Sequence, residues 1–445
     1  MSELLITGGH VIDPASGVDA LRDVLVRNGK IAALEEPGGL HDTTKSFPKE
    51  LHVDATGCVV APGFIDMHVH LREPGQTHKE TIATGTAAAA AGGFTTVVAM
   101  PNTTPVNDSA ESLAWMLDAA RGAAVHLLAM PAATIGSMGE RLTDFAALVT
   151  AGAVGFTDDG KPVLEDDRMR AALIAAARLG VPVSQHAEDT RLTGGCSMNA
   201  GPVAFRLGLR GMTVEAESRI VERDLRLLEE IGRAEGLRPH LHVQHVSTAR
   251  ALDAIRSAKA RGLHVTCEAA PHHFTLTEEA ISASGSNGFA YDTNAKINPP
   301  LRAESDRMAV IAALLDGTVD CIATDHAPHA SHEKEVEFER APNGITGLET
   351  ALGLALRVLH KENGLPLPRI IELMSARPAA VIGLKDSGAL RVGTVADVTV
   401  FNAGAEWLFD ARQSRSMSKN TPFDGAAMLG QVKATICAGR LVYRT

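Results

Sequence analysis

Short apolar runs recur along the chain from Gly63 onward, and each ends in polar or ionisable residues before a longer stretch of helix-forming composition. The eight runs are residues 63–70, 95–102, 125–131, 153–159, 181–186, 240–245, 264–269 and 320–325. Nearly continuous hydrophobicity over the length of a strand is typical of parallel strands buried on both faces. Eight such units with intervening helices predict an α/β protein of the (β/α)8 TIM-barrel class.

The two ends of the chain have a different pattern. Short strand-like pieces at 4–7, 23–26 and 30–33, and again at 398–401, 434–438 and 440–443, are divided by Gly and Asp turn signals. Neither end carries enough strands for a stable sheet, so we expect the two ends to pair. The predicted division is a small, discontinuous β-sandwich domain from residues 1–58 and 388–445, and a catalytic barrel from residues 59–387.

Composition and charge exclude several classes of protein. The formal net charge of -11, without a basic run, argues against binding to nucleic acid or to an anionic membrane. The five cysteines are scattered and form no C-x-x-C pair, so they indicate neither a disulfide framework nor a thiolate zinc site. No signal-peptide pattern and no apolar stretch of roughly 18 residues is found, and we expect a cytoplasmic protein.

The polar residues that end the predicted strands are the candidates for chemistry, because loops converge over the carboxyl ends of the strands in such a barrel. These residues are His68, His70, Asn102, Asp159, His186, His245 and Asp325. Any one of them alone is more often a hydrogen-bonded structural residue than a ligand. Their shared position at the strand ends predicts a metal site.

His68 and His70 begin the predicted site, since side chains two residues apart on a strand point the same way. Imidazole suits zinc and related divalent metals. A carboxylate has two oxygens and can bridge two cations, which favours Asp159, whereas Asp158 fits a cap or a turn before Gly160. The sequence therefore predicts a two-metal site.

Asp325 ends the last predicted strand and is the predicted acid/base. One of its oxygens can bind a metal while the other holds a metal-bound water, from which it can pass a proton to a leaving nitrogen. Metal binding lowers the pKa of that water from about 15.7 towards roughly 7, so hydroxide is available at neutral pH.

Arg72 predicts the charge of the substrate. It lies two residues beyond His70, where the metals would repel an unpaired cation unless an anion joined it. A guanidinium offers a planar fork to a substrate carboxylate. The alternative is a structural ion pair with Glu73 or another acid.

Five motifs give the chain a close resemblance to a known family over nearly its whole length. They are Pro-Gly-Phe-Ile-Asp-Met-His-Val-His-Leu-Arg-Glu-Pro-Gly at 62–75, Met-Pro-Asn-Thr at 100–103, Asn-Pro-Pro-Leu-Arg at 298–302, Thr-Asp-His-Ala-Pro-His at 324–329 and Asn-Thr-Pro-Phe-Asp-Gly at 420–425. In these the chain resembles the amidohydrolase superfamily and, within it, the bacterial zinc dihydroorotases that have aspartate at the bridging position. The resemblance implies reversible cyclisation of N-carbamoyl-L-aspartate to (S)-dihydroorotate in de novo pyrimidine (UMP) biosynthesis, with a metal-bridging hydroxide.

The resemblance also implies residue roles, two Zn²⁺ ions per chain and a small-molecule substrate. One zinc would be bound by His68, His70, Asp159 and Asp325, and the other by Asp159, His186 and His245. The substrate carboxylate would be held by Arg72, Asn102 and His329, and the ring by Asn298 and the Asn343-Gly344 backbone, with His70 also in contact. Relatives that bridge their metals with a carbamylated lysine leave Lys161 as an alternative to Asp159.

Two other functions stay open at this point. A sister cyclic amidase (hydantoinase, dihydropyrimidinase or allantoinase) would share fold and metals, but neutral rings give no reason for Arg72. A non-catalytic scaffold of aspartate carbamoyltransferase would typically lack ligands, which are all present here. Neither homodimerisation nor partnership with that carbamoyltransferase follows from the sequence.

The remaining histidines receive lesser roles. We expect His272, His273 and His326 to hydrogen-bond around the ligands or to pack in loops. His78 and His332 are assigned to solvent or loops, and the acidic run at 333–339 to a solvated helix or loop.

Overall fold

The computed structural model describes residues 3–40, 47–282 and 290–445, and its strands follow the predicted runs. In chain order they are β1 (Glu3–Asp13), β2 (Val18–Arg27), β3 (Lys30–Glu35), β4 (His52–Asp54), β5 (Val59–Pro62), β6 (Phe64–Val69), β7 (Phe94–Ala99), β8 (His126–Ala129), β9 (Val183–Gln185), β10 (Met198–Asn199), β11 (Gly211–Met212), β12 (Leu241–Val243), β13 (Val265–Ala269), β14 (Cys321–Ile322), β15 (Val398–Leu408), β16 (Ala427–Cys437) and β17 (Arg440–Arg444).

Helices separate the barrel strands and cover them. The α-helices are Ile82–Ala91, Ala110–Ala119, Phe145–Ala151, Asp166–Leu179, Thr190–Thr193, Pro202–Leu207, Glu215–Glu235, Ala249–Ala260, Pro271–Thr275, Glu304–Asp316, Ser331–Lys334, Ala351–Leu354, Leu367–Met374 and Ala376–Val381, and Ala355–Glu362 is a π-helix. Short 3-10 turns are formed by Lys49–Leu51, Ile135–Ser137, Glu278–Ile281, Thr293–Ala295 and Ala411–Gln413. None of the helices in the described ranges combines the length and apolar character needed to cross a membrane.

The barrel is a ring of parallel strands, as predicted. β6, β7 and β8 pair in that order, and β9, β12, β13 and β14 form the other arc. A parallel bridge between Val69 and His326 joins the two arcs on one side. On the other side residues 153–159 fill the gap, where Val154 N donates to Ala129 O at 3.2 Å.

The fourth predicted run, 153–159, does not form a regular strand, and this part of the prediction is wrong. Phe156 pairs with β9, because its N–H donates to Pro182 O and its carbonyl accepts from Ser184 N. The next residue turns to the other neighbour, since Thr157 N donates to Pro131 O at 3.1 Å. The segment 153–159 therefore bonds to one neighbour at Phe156 and to the other at Thr157. It completes the ring of the barrel without forming a continuous ladder of hydrogen bonds to either neighbour.

The terminal strands form one eight-stranded sheet in the order β17-β16-β15-β5-β1-β2-β3, with β4 beside β1. The sheet folds over on itself, because the turn after β2 reaches its opposite end: Ala396 N donates to Gly29 O, and Gly439 N donates to Ala396 O, both at 2.9 Å. A separate cluster of buried aliphatic side chains fills the space between the two layers. The predicted β-sandwich of both termini is confirmed.

Strands β4 and β5 were not among the predicted strand-like pieces. β5 is hydrogen-bonded to both β1 and β15, and Gly63 leads from it into β6. We propose a domain division that follows this sheet, with the barrel lying between Gly63 and the approach to β15. Residues 1–2 and 41–46 of the predicted segment 1–58 lie outside the described residues.

The helix Ile82–Ala91 shows how local sequence sets the start of a barrel unit. Thr81 caps it, because the threonine side chain accepts from Thr84 N. Ala88, Ala89 and Ala90 are buried, and side chains this small let the helix lie close to the strands. The helix therefore fixes the loop before it, which follows His70.

Candidate active site

His68 and His70 project from the carboxyl end of β6 towards two carboxylates. His68 Nε2 lies 3.2 Å from Asp159 Oδ1 and 3.5 Å from Asp325 Oδ1. His70 Nε2 lies 3.0 Å from Asp325 Oδ1 and 3.5 Å from Asp159 Oδ2. Two imidazoles and two carboxylates, contributed by three separate parts of the ring, therefore converge on one point.

A second group of donors lies beside the first. His186 Nδ1 is 3.0 Å from His245 Nε2, and each of these nitrogens is 4.0 Å from Asp159 Oδ1. Asp159 is thus shared: its Oδ1 faces His68, His186 and His245, and its Oδ2 faces His70. This is the arrangement that a carboxylate needs to bridge two cations.

The donor set fits divalent metal ions. His68 Nε2 is buried close to Asp159 but has no hydrogen bond of acceptable geometry among the described residues. The described groups whose ligand atoms lie close enough to hold an ion include His68, His70 and Asp325, and also His68, Asp159 and His245. Imidazole nitrogen and carboxylate oxygen are the ligands of zinc in hydrolytic sites.

The electrostatics of the cluster favour a cation. Burial alone raises the pKa of Asp325, but the charge of His68 and the hydrogen bond of His70 outweigh it and hold the pKa at about 2. Burial also opposes protonation of His68, yet Asp159, Glu268 and Asp325 raise its pKa well above the ordinary value. The carboxylates therefore stabilise positive charge at this point, and a metal ion can supply that charge in place of a proton.

Burial, together with the charges of the neighbouring His186 and His68, lowers the pKa of His245 to about 3. Its neutral imidazole is the form that binds metal.

Glu268 orients His68 and was missed by the sequence analysis. Its carboxylate lies 2.7 Å from His68 Nδ1 and 3.0 Å from His242 Nε2. It lies within β13, and a glutamate inside an otherwise apolar run is the signal that could have identified it. By accepting from Nδ1 it leaves Nε2 of His68 free to face the cluster.

Glu188 orients His186 in the second donor group, and the sequence analysis missed this residue too. It lies 3.0 Å from His186 Nε2 and accepts from Asn298 Nδ2 at 2.7 Å. Burial would raise its pKa, but the contact with His186 lowers it to about 2. The histidine is thereby held with Nδ1 towards His245.

A cavity of about 370 Å³ opens over both groups. It is lined by His70, Arg72, Gln76, Lys79, Asn102, Asp159, Gly160, His186, His245, Ile297, Asn298, Asp325, Ala327, His329 and Asn343. The predicted site residues therefore share one cavity, apart from His68 beneath it and Gly344 behind it. Gln76 and Lys79 were not predicted.

Arg72 enters this cavity without a carboxylate partner. Its side chain is buried, and Nε donates to Pro328 O at 3.1 Å. Glu73 instead accepts from Ile82 N at 2.8 Å, and no ion pair to Arg72 occurs within the described residues. Burial lowers the pKa of Arg72 to about 10, which still leaves the guanidinium charged at neutral pH.

His329 lies next to Arg72 and is held neutral. Its Nε2 lies 3.4 Å from Arg72 Nη2 and 2.9 Å from Asn343 O, so Nε2 donates to the carbonyl. Burial and the charges of Arg72 and Lys79 lower its pKa to about 2. Arg72 therefore carries the unpaired positive charge at this end of the cavity, because Lys79 Nζ lies 3.0 Å from Glu333 Oε1.

Two asparagines link the ligands to the cavity. Asn102 Oδ1 lies 2.8 Å from His70 Nδ1, and its Nδ2 donates to Asp159 Oδ2 at 2.9 Å. Asn298 Oδ1 is buried with no hydrogen-bond partner among the described residues, so it is an acceptor open to an N–H group of a ligand. Asn102 therefore orients the cluster, whereas Asn298 offers a free acceptor.

Gly344 lies behind the cavity, with both backbone polar groups already used. Its N–H donates to Lys296 O at 2.9 Å, and its carbonyl accepts from Asn420 and Lys334. Its φ is 158°, and a Cβ there would lie 2.4 Å from Ala327 O. Only glycine fits at this close approach.

Lys161 and Asp158 lie apart from the cluster. Lys161 is exposed, whereas Asp159 is buried among the histidines. The Asp158 side chain points away and accepts from Thr134 N at 2.9 Å, while its carbonyl accepts from Lys161 N at 2.8 Å and closes the turn expected at Gly160.

The remaining histidines have other contacts. His273 Nε2 donates to Pro299 O at 2.9 Å, and His326 Nδ1 accepts from Gly347 N at 3.1 Å. His272 is buried, and burial holds its pKa well below the ordinary value. His78 lies in the loop after β6 and His332 in the short helix Ser331–Lys334; both are exposed, and their ring centroids are 6.4 Å apart.

Comparison with known proteins identifies the family. A family model described as Dihydro-orotase-like matches residues 57–251. A dihydroorotase from a Geobacter species is 46% identical over 99% of both chains, and one from Anaeromyxobacter dehalogenans is 47% identical over 100% of this chain and 98% of its own.

Solved structures of related enzymes share the fold. An L-hydantoinase (dihydropyrimidinase) from Arthrobacter aurescens has a TM-score of 0.84 at 25% identity and covers 100% of this chain and 96% of its own. A dihydropyrimidinase from Brevibacillus agri has a TM-score of 0.82 at 22% identity, over 99% and 95% of the two chains, which supports the fold alone. The identity to the curated relatives is much higher and spans the whole chain, so this chain belongs to the dihydroorotase family of amidohydrolases.

Proposed function

We propose that this chain is a dihydroorotase, which interconverts N-carbamoyl-L-aspartate and dihydroorotate. The observation that carries the proposal is the buried guanidinium of Arg72, which lies without a carboxylate partner in the cavity that also holds the ligand cluster. A substrate with a carboxylate next to a cyclic amide would supply the missing anion and present its ring to the cluster. Such a substrate would then engage both the guanidinium of Arg72 and the ligand cluster.

The charge of the cavity distinguishes this function from that of the sister amidases. Lys79 Nζ lies 3.4 Å from His329 Nδ1, and Arg72 lies on the other side of the same imidazole. Burying cations is costly unless an anion joins them. Lys79 already pairs with Glu333, since Lys79 Nζ lies 3.0 Å from Glu333 Oε1, so Arg72 is the cation that still needs an anion. Hydantoin, dihydrouracil and allantoin carry no carboxylate, so they would leave Arg72 without one.

We propose two Zn²⁺ ions per chain, one among His68, His70, Asp159 and Asp325, the other among Asp159, His186 and His245. The support is the pair of donor groups that share Asp159, and the N/O composition of both. When bound, such ions lower the pKa of water towards roughly 7 and polarise a carbonyl oxygen. Metal content of about two per chain, measured on purified protein, is the expected result.

Asp325 is the proposed acid/base. In ring opening, it takes a proton from the attacking water and delivers it to the ring nitrogen as the C–N bond breaks, which gives carbamoyl aspartate. In ring closure it carries the proton from the carbamoyl nitrogen to the departing carboxylate oxygen as the C–N bond forms and the C–O bond breaks, and a second proton, taken up from solvent, completes the water. Its low pKa supports the deprotonated form as the resting state, which the first step requires.

The substrate carboxylate is proposed to pair with Arg72, next to His329 and Asn102, and the ring to contact Asn298 and Asn343. Gly344 supports this wall from behind the cavity, because its N–H and carbonyl are already hydrogen-bonded. Asn298 is supported by its free Oδ1, which can accept from a ring N–H. His70 lines the same cavity and contacts the substrate between these two groups.

The test is a substrate panel. Wild-type protein and Arg72→Met are assayed with dihydroorotate, dihydrouracil, hydantoin and allantoin, with Arg340→Met at an exposed site as the matched control. We expect dihydroorotate to be strongly preferred by the wild type and the control, and Arg72→Met to lose that preference. Preference of the wild type for a neutral ring would overturn the proposal.

A scaffold role for aspartate carbamoyltransferase is tested separately. Bound metal together with turnover of dihydroorotate supports the enzyme, whereas metal-free, inactive protein that co-elutes with the carbamoyltransferase supports the scaffold. The same chromatography reports whether the chain forms a homodimer.

A further inference from the structure

The segment that joins β15 to β16, residues 409–426, leaves the terminal sheet and lies against the barrel. Ser418 Oγ donates to Lys79 O at 2.6 Å, and Arg415 N donates to Glu349 Oε1 at 2.7 Å. Lys79 lies in the loop after β6, and Glu349 lies just before the helix Ala351–Leu354. A part of the small domain therefore reaches the rim of the active-site cavity.

Asn420 in this segment uses its whole side-chain amide on two loops of that rim. Its Oδ1 accepts from His329 N at 2.9 Å, while its Nδ2 donates to Ala327 O and to Gly344 O, both at 3.0 Å. The side chain is buried, and its own carbonyl accepts from Thr346 N at 2.9 Å. One side chain thus ties the loop after β14 to the loop that carries Asn343 and Gly344.

The chemistry of these contacts requires an amide. An alanine at this position would leave His329 N and Ala327 O without the partner that Asn420 supplies and would leave Gly344 O with Lys334 alone, and buried groups are costly to leave unpaired. An aspartate would keep an acceptor for His329 N but would place its second oxygen against the carbonyls of Ala327 and Gly344. An asparagine alone offers one acceptor and two donors from so short a side chain.

We propose that Asn420 is a positioning residue for substrate binding, through which the small domain sets the place of His329 relative to the 343–344 loop. Asn420 lies behind the residues that line the cavity and does not line it itself. It acts through its hydrogen bond to the backbone of His329. The inference rests on the proposed function, in which His329 lies at the end of the cavity that receives the substrate carboxylate. It also explains why the motif at 420–425 lies so far from the other motifs in sequence.

The test compares Asn420→Ala and Asn420→Asp with Asn402→Ala, a matched control in the same domain whose side chain only accepts from Gly404 N in an exposed turn. Metal-loaded full-length proteins are measured in two ways. Hydrogen exchange followed by mass spectrometry reports on peptides that cover 327–330 and 343–346, and kinetics with dihydroorotate report KM and kcat separately.

We expect faster exchange in both peptides and a KM raised about tenfold or more in both Asn420 variants, with a smaller loss in kcat and unchanged metal content. The control should match the wild type. Unchanged exchange, or a loss of kcat at wild-type KM, would overturn the positioning role. If the wild type fails to turn over dihydroorotate, the proposed function fails, and the exchange data still decide whether Asn420 holds the two loops.

Discussion

The carboxylate of Glu268 lies 2.7 Å from Nδ1 of His68, and this contact determines which nitrogen of the histidine faces the metal cluster. Nδ1 must be the protonated nitrogen, because an ionised carboxylate can only accept. Glu268 is ionised: burial raises its pKa, but His68 and His242 lower it far below the ordinary range. Nε2 of His68 is therefore the nitrogen that faces the cluster, where a bound metal would take the place of its proton.

Glu268→Gln should weaken metal binding by roughly 10–100-fold, because loss of the carboxylate behind a ligating histidine frees its tautomer and orientation. The measurement is metal retained by the protein during titration with a chelator of known affinity. Glu279→Gln, at an exposed ion pair with Arg206, is the control and should retain metal as the wild type does. Equal retention in Glu268→Gln would show that the contact does not support His68.

Asp159→Ala should lose metal at both groups, since this carboxylate is the only side chain described here that both groups share. Lys161→Ala should keep wild-type metal content and activity, because the lysine is exposed and lies away from the cluster. Elemental analysis of the two purified variants makes the comparison. Loss of metal in Lys161→Ala, together with a carbamyl adduct on the wild-type peptide, would favour the lysine bridge instead.

Asp325→Asn should keep much of its metal and lose turnover by roughly 10²-fold or more, because the amide can still offer an oxygen but cannot carry a proton. Single-turnover kinetics with dihydroorotate and metal analysis of the same sample separate the two effects. Near-normal turnover in this variant would remove Asp325 from the acid/base role.

The barrel could be predicted from sequence because its strands are buried on both faces and appear as apolar runs. The candidate ligands could be located because they all lie at the ends of those runs: His68, His70, Asp159, His186, His245 and Asp325. The irregular backbone of residues 153–159 could not be predicted. Hydrophobicity shows that Phe156 is buried, but it does not show that the backbone changes neighbours at Thr157.

The supporting residues were missed for a different reason. Glu268 contacts partners 23 and 200 positions away in the chain, His245 and His68. Glu188 contacts partners 2 and 110 positions away, His186 and Asn298. The contacts of the Asn420 side chain span 76 to 93 positions. The roles of Glu268 and Asn420 follow from which hydrogen-bonding groups the fold brings within reach, and no local spacing encodes that. Glu188 lies only two residues from His186, but its contact with Asn298 depends on the fold in the same way. Arg72 could be assigned to the substrate carboxylate because it lies two residues beyond His70, which already located it near the predicted metals.

The pair His126 and Asp397 joins the barrel to the small domain and should make stability depend on pH. His126 Nε2 lies 3.2 Å from Asp397 Oδ1, where the start of β8 meets the approach to β15. Hydrogen bonds to Asp397 and Cys437 raise the pKa of His126 from 6.5 to about 10, against the opposing effect of burial. The folded chain therefore binds a proton here more tightly than the unfolded chain does.

Because the folded pKa is the higher one, the stabilisation is fully present below pH 6.5 and is lost as the pH rises through about 10. His126→Gln should lower Tm at about pH 6 by a few degrees, and this deficit should shrink as the pH approaches about 10. The effect is modest because the His126 side chain is 40% exposed, so solvent screens the pair. Thermal unfolding at one scan rate, with His332→Gln at an exposed position as the control, makes the measurement. A Tm deficit that stays constant or grows towards alkaline pH would mean that the charged form of His126 does not stabilise the contact between the two domains.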